Sequence, residues 1–225
     1  MSDLRVERIS SQDAQPFLLN RHYAKRLCPI SHAFGSYRGH DLIGVVTYGT
    51  PLSSTLRDGV CGKEYSQCVL ELNRLCCESG KNIASQLVGR SLSMLPKPSV
   101  VVSYADTGQG HVGYVYQSTN FIYTGLSAKF KDPMVRGQEH KHHTTIGDEG
   151  RGHPSRVEYL REKYGAENVY YVERARKHRY VFFCGNKTER WKMKSSLKYK
   201  VEDYPKGKSD RYKIEQIETQ QSLFS

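Results

Sequence analysis

The sequence predicts an α/β fold with a mixed central sheet and flanking helices, and three stretches carry that prediction. Val100, Val101 and Val102 form a β-branched apolar run between Pro98 and the polar turn 107–111, which is how a buried strand reads. Residues 68–102 read as strand, loop, helix and strand, a crossover that lays its two strands parallel and in the right-handed sense. Residues 33–49 read as two strands joined by Arg38-Gly39-His40-Asp41, and a hairpin is antiparallel. Parallel and antiparallel neighbours in one chain make the sheet mixed.

Taken in order, Val6 and Ile9 suggest a short first strand, and Ser11 caps a helix that carries Phe17, Leu18 and Leu19 and ends at Asn20-Arg21-His22-Tyr23. The hairpin follows Cys28-Pro29. A polar, glycine-punctuated connection from Thr50 to Gln67 leads to the strand 68–77, where the two-residue period puts Glu71 and Asn73 on one face and Leu70, Leu72 and Arg74 on the other. Apolar residues at 83, 84, 87, 88, 92 and 95 keep the helical period, and Asn82 is placed to cap that helix, whose free amides suit an anion. The strand of Val100 to Val102 ends at Ser103, Tyr104 and Asp106. The turn Thr107-Gly108-Gln109-Gly110-His111 and a helix-like segment with Tyr116, Asn120 and Tyr123 come next. Ligands of open sheets with parallel strands bind at such carboxyl ends.

Beyond Gly125 the chain carries Glu139-His140-Lys141-His142-His143, Asp148 and His153, a density that invites a metal, although HxHH on a loop is no recognised ligand set and solvated histidines are commoner. No metal ligands are assigned. A helix from Val157 ends at Gly165, and runs at 169–172 and 180–185 are expected to complete the sheet, joined by the basic turn 173–179. The expected division is a catalytic domain over residues 1–185 and a basic C-terminal extension over 186–225, where Trp191 stands among Lys187, Arg190, Lys192, Lys194, Lys198 and Lys200.

Composition narrows the function. A chain of 225 residues, 37% hydrophobic, buries a real core. Its net charge of +11 is uneven: twelve Lys/Arg against nine Asp/Glu in residues 1–125, then 22 against 14. With 16 tyrosines, this points to a polyanionic partner that offers phosphates and bases. Six cysteines without paired CxxC spacing read as reduced cytosolic thiols, and no apolar run approaches the roughly 20 residues that cross a bilayer.

The order of early helix, hairpin, strand with helix, then strand with helix resembles the GNAT acyltransferase fold, whose members splay two parallel strands and work between them. The GNAT pyrophosphate turn, Q/R-x-x-G-x-G/A, is matched at residues 77–82 by Gly80 alone. A closer resemblance lies in three blocks: Asn20-Arg21-His22-Tyr23; Glu71-Leu72-Asn73-Arg74-Leu75; and Ser103-Tyr104-Ala105-Asp106-Thr107 with Gly110 to Asn120 and Tyr123-Thr124-Gly125. Over residues 15–125 these are similar to the bacteriophage Mom family, GNAT-like enzymes that place a carbamoylmethyl group on the exocyclic amine of adenine and protect phage DNA from restriction.

That resemblance implies an enzyme of the infected bacterial cytoplasm with double-stranded DNA as partner. It implies Ser103, Tyr104, Asp106 and His111 as catalytic residues and His22, Tyr23, Glu71, Asn73, Arg74, Tyr116 and Asn120 as substrate-binding residues. Gly80, Asn82 and Arg90 are the donor-binding candidates. Chemistry supports these residue types, because an adenine amine must leave the stack, be held by aromatic and amide groups, and lose a proton. The donor stays open between a glycine-derived ester such as glycyl-tRNA, which adds tRNA as a partner, and acetyl-coenzyme A. Two rival readings are a conventional GNAT N-acetyltransferase acting on a small molecule or protein, and a non-catalytic DNA-binding protein.

Overall fold

The computed structural model describes residues 4–22, 28–141 and 143–207. The first strand, β1 (Arg5–Ile9), pairs antiparallel with β2 (His32–Arg38). Between them lies α1 (Ser11–Arg21); its cap is Ser10 rather than Ser11, with the Ser10 hydroxyl accepting from Asp13 N–H at 3.1 Å. The hairpin of β2 and β3 (Asp41–Gly49) turns at Gly39, whose φ of +62° suits the missing Cβ. The polar, glycine-punctuated connection contains α2 (Ser54–Cys61), capped by Ser53 and followed by a 3-10 turn, and it packs Leu56, Val60 and Cys61 inward.

β4 (Val69–Cys77) runs antiparallel to β3 and parallel to β5 (Ser99–Asp106), with α3 (Ile83–Met94) as the crossover. Asn82 occupies the cap position of α3 in a left-handed conformation, φ 62°, and its side chain makes no capping bond. After β5 the helix is shorter than its sequence suggests. α4 (Tyr114–Ser118) stops before the left-handed Asn120, and Tyr123 belongs to β6 (Ile122–Leu126).

β7 (Lys131–Val135), α5 (His143–Glu149), α6 (Arg156–Tyr164) and β8 (Val169–Glu173) form a satellite around Val135, Ile146 and Leu160. β8 does not complete the main sheet as expected but pairs with β7 in a separate ribbon. β9 (Lys177–Cys184) then returns and slots between β5 and β6. Among the described residues, seven strands thus make one mixed sheet in the order β1-β2-β3-β4-β5-β9-β6. None of the described helices is long and apolar enough to cross a membrane.

α7 (Lys187–Ser195) packs on this sheet through the fully buried Met193. Residues 196–207 continue as a strap: Lys198 N–H bonds Val60 O at 2.8 Å, Glu202 N–H bonds Tyr123 O at 3.0 Å, and the Tyr204 hydroxyl donates to Phe121 O at 2.6 Å. Residues 186–207 of the expected extension therefore lie against the domain, and residues 208–225 are outside the described set. The sheet carries α3 and α4 on one face, over Val46, Leu72, Val101 and Phe121, and α1, α2 and α7 on the other, over Val45, Val69, Val102 and Val181.

Candidate active site

β4 and β5 stay paired for only four residues, from Val69↔Val100 to Leu72↔Ser103. β4 then follows β3 out to Cys77↔Gly44, while β5 follows β9 out to Asp106↔Lys177. The two parallel strands separate here, opening a fork between them. The Ser103 hydroxyl donates across its base to Leu72 O at 3.2 Å.

Alternation decides which side chains face the α1, α2, α7 side of the fork. On β5, Val100 and Val102 point that way, so Tyr104 and Asp106 follow; on β9, Val181 and Phe183 do, so Lys177 and Arg179 follow. On β4 the pattern is interrupted. The register runs Tyr48↔Leu72 and then Thr47↔Arg74, which makes Asn73 the extra residue of a β-bulge. The bulge flips the parity: Cys76 joins the α1 cluster and Leu75 the α3 cluster. Arg74 therefore lies on the side of Glu71, not opposite to it as strict alternation predicts.

The electrostatics agree with this placement. Burial pushes the Glu71 carboxyl above its ordinary value, opposed by the positive charges of Lys177 and Arg74. Burial also raises the Tyr104 hydroxyl, with Glu71 and Tyr199 adding to the effect, so Tyr104 is a neutral hydrogen-bond donor. His22, at the end of α1, is 8% exposed and its imidazole is held down to about 4, first by burial and then by Arg74 and His111. It is neutral at pH 7. Asp106 accepts from Gly108 N–H at 2.9 Å, lies 3.7 Å from the Lys177 ammonium, and accepts the His111 backbone N–H on its carbonyl at 3.0 Å.

His22, Glu71, Arg74, Tyr104, Asp106 and His111 thus come together. The other candidates go elsewhere. Ser103 is fully buried on the α3 side of the sheet. Asn73 donates to Pro29 O and accepts from the Thr47 hydroxyl, both at 2.7 Å, and so anchors the chain entering β2. Gly49 makes that anchor possible, since a Cβ there would stand 2.1 Å from Pro29 O. Tyr116 packs on Phe121 and Tyr180 at ring distances of 5.4 and 5.3 Å, and Asn120 turns the chain at the surface. Gly80 and Asn82 lie beyond the end of β4, and Arg90, two helical turns on, donates to Leu4 O. Tyr23 lies outside the described residues.

Sequence reasoning missed two contributors as site residues, Lys177 and Arg179. Arg179 donates to the Thr124 hydroxyl and carbonyl at 2.9 Å each, and its guanidinium lies 3.4 Å from the centroid of Tyr199, the strap residue beside Tyr104. The available signal was the density of cations between Arg174 and Arg179, read from the sequence as a basic turn joining two strands. The histidines of the satellite have local uses: His143 faces Asp132 at 3.7 Å and His153 stacks on Tyr159 at 4.2 Å. His142 lies outside the described residues, and among those described no three metal-binding side chains cluster.

Chemically, the fork offers a carboxylate poised to take a proton, a neutral imidazole, a neutral phenol, and cations that stabilise a developing oxyanion. The Mom protein family matches residues 3–206 of the chain. The methylcarbamoylase mom of Escherichia phage Mu is 30% identical over 211 residues, which cover 91% of this chain and 84% of that relative. Among solved structures, a Salmonella typhimurium acetyltransferase with its cofactor acetyl-CoA aligns at TM-score 0.45 and 10% identity, over 82% of this chain and 96% of its own. The ribosomal-protein-S5-alanine acetyltransferase of Vibrio fischeri aligns at TM-score 0.45 and 11% identity, over 83% and 96%.

Proposed function

The chain belongs to the Mom protein family, and from that premise we propose that it is a DNA-modifying transferase that places a carbamoylmethyl group on the exocyclic amine of adenine. It acts in the cytoplasm of an infected bacterial host, where the product shields phage DNA from restriction endonucleases. The observation that carries this reading is the convergence at the fork of His22, Glu71 with Arg74, and Tyr104 with Asp106 and His111, three segments far apart in the chain.

The adenine amine is a weak nucleophile because its lone pair is delocalised, and in a duplex it is paired. The base must be turned out of the stack before it can react. Glu71 then takes the proton that the amine loses, Tyr104 and the neutral His22 hydrogen-bond the base or the acyl oxygen, and Arg74 and Lys177 stabilise negative charge on that oxygen. Mass spectrometry of nucleosides from DNA of expressing cells is expected to show a deoxyadenosine heavier by about 57 Da, the mass of a carbamoylmethyl substituent replacing hydrogen on the flipped base. Unmodified nucleosides from a soluble preparation would remove the reading.

The residues of the β4–α3 turn do not fit a coenzyme A pyrophosphate. A Cβ at Gly80 would meet only Ile83 at the start of α3, at 2.4 Å, and Cys77 and Asn82 stand where the pattern has Gln/Arg and its second Gly/Ala. No step is routed through that carrier. The donor we propose is a glycyl ester such as glycyl-tRNA, because glycyl and carbamoylmethyl groups are isomers: attack by the amine breaks the ester C–O bond, the tRNA hydroxyl leaves with the proton the amine lost, and the resulting amide rearranges to the product without gain or loss of atoms. Isotope-labelled glycine fed to expressing cells is expected to enter the modified adenine intact. Label arriving from acetate alone would return acetyl-coenzyme A as the donor.

A further inference from the structure

Helical positions i, i+3, i+4 and i+7 share one face, and in a packed helix that face is the apolar one. In α7 these positions are Lys187, Arg190, Trp191 and Lys194, and all four are exposed, while Met193 turns into the core with Val60 and Phe183. Helix stability accounts for Lys194, in the last turn, but not for the others. A helix favours cations in its last turn and disfavours them in its first, where Lys187 and Arg190 sit. The first-turn carboxylate, Glu189, is bound back to the Asn186 backbone N–H at 2.7 Å as half of a capping box. Among the described residues, no ion pair engages Lys187, Arg190, Lys192, Lys194, Lys198 or Lys200.

Trp191, the chain's one tryptophan, leaves its indole 68% exposed in the middle of this charge. The track has a direction. From α7 the strap carries Lys198 past Val60 to Tyr199, whose ring lies under Arg179 and beside Tyr104 at the fork. A polyanion lying along α7 is therefore led to the site.

We infer that the face of Lys187, Arg190, Trp191 and Lys194 seats the phosphate backbone of the duplex DNA whose adenine enters the fork, with Lys198 and Lys200 continuing the contact. This rests on the proposed DNA modification. Lys187 and Lys194 are separated by roughly 10 Å of helix rise, a span that faces about three phosphates of one strand. The flat indole between them fits against the sugar edge of that strand.

Trp191 is its own probe. Titrating the full-length protein with an adenine-containing duplex oligonucleotide is expected to quench its fluorescence. In the combined variant Lys187→Gln, Arg190→Gln, Lys194→Gln, duplex affinity at moderate salt is expected to fall about tenfold or more, and the slope of log affinity against log salt to flatten by about three. The KM for DNA rises correspondingly while kcat moves less than twofold, and circular dichroism verifies the fold. An unchanged salt slope, or quenching by an unpaired RNA end but not by duplex, overturns the inference. The two readings fail separately. Quenching and a flattened slope without any modified nucleoside leave the track standing and remove the chemistry; modified nucleosides at unchanged KM in the triple variant do the reverse.

Discussion

Glu71→Gln is expected to slow adenine modification by about 10²–10⁴-fold, the range that proton transfer by a positioned residue supplies, and at the same time to make the protein more heat-stable at neutral pH. The first effect follows from the role proposed for the carboxylate at the fork. The second follows from its burial, which raises the Glu71 pKa above the ordinary 4.5 despite Lys177 and Arg74. A carboxyl group whose folded pKa is raised binds its proton more tightly in the native state, so stability is lost as pH rises from the unfolded value through the folded one. The glutamine variant escapes that loss. Its melting temperature should exceed the parent's at pH 8, and the difference should close below about pH 4, where the carboxyl is protonated in both states. Parent activity should rise with pH through the raised Glu71 pKa, because the base must be ionised. His22, held down to about 4, adds no step between pH 6 and 8. A variant that keeps full activity would remove Glu71 as the base, and one that melts below the parent at pH 8 would remove the argument from its buried charge.

Tyr180→Ala is expected to cost about 3–5 kcal/mol, as for other large aromatic truncations in cores. Tyr180 is fully buried among Tyr116, Tyr123 and Tyr204, and its hydroxyl donates to Val112 O and accepts from Gln117 Nε2 at 3.1 Å. A Cβ at Gly113 would lie 2.5 Å from its ring, so the turn is moulded to this tyrosine. Tyr180→Phe keeps the ring and loses only the hydroxyl, at a cost of about 1 kcal/mol. Because that hydroxyl fastens the turn carrying His111, the phenylalanine variant should lose activity out of proportion to its stability. Denaturant unfolding and a turnover assay separate the two effects, and a Tyr180→Phe protein with parental turnover would show that the turn is held by other bonds.

The sheet was legible wherever local pattern and local pairing coincide. The hairpin of β2 and β3 and the crossover from β4 to β5 are each written within a short window, by a glycine turn in one case and by a change of hydrophobic period in the other. Strand identity at residues 169–172 was equally clear, but pairing was not. Two Val-Tyr-rich runs separated by a basic turn read alike, and only tertiary packing around Ile146 and Leu160 assigns β8 to the satellite. At the site, Tyr104, Asp106 and His111 could be read from a strand tip followed by a glycine turn. Arg74 was placed on the wrong face because a bulge at Asn73 leaves no mark in the period of β4 itself; it arises from the pairing with Thr47 and from the anchor to Pro29. Lys177 and Arg179 reach the fork only because a later strand lies beside β5.

That last placement governs how the molecule folds. β9 is made after β5, β6 and the whole satellite, yet it occupies the position between β5 and β6. Until it arrives, the valine-rich β5 has an open edge, a row of unpaired amides and carbonyls that invites pairing with another chain. Such distant pairing is slow, because the loop must close before its contacts contribute. The same insertion brings Lys177, Arg179 and Tyr180, so without it the fork holds Arg74 but lacks its other cations and its fastened turn. Docking of residues 177–184 thus closes the β5 edge and supplies the fork's later cations together.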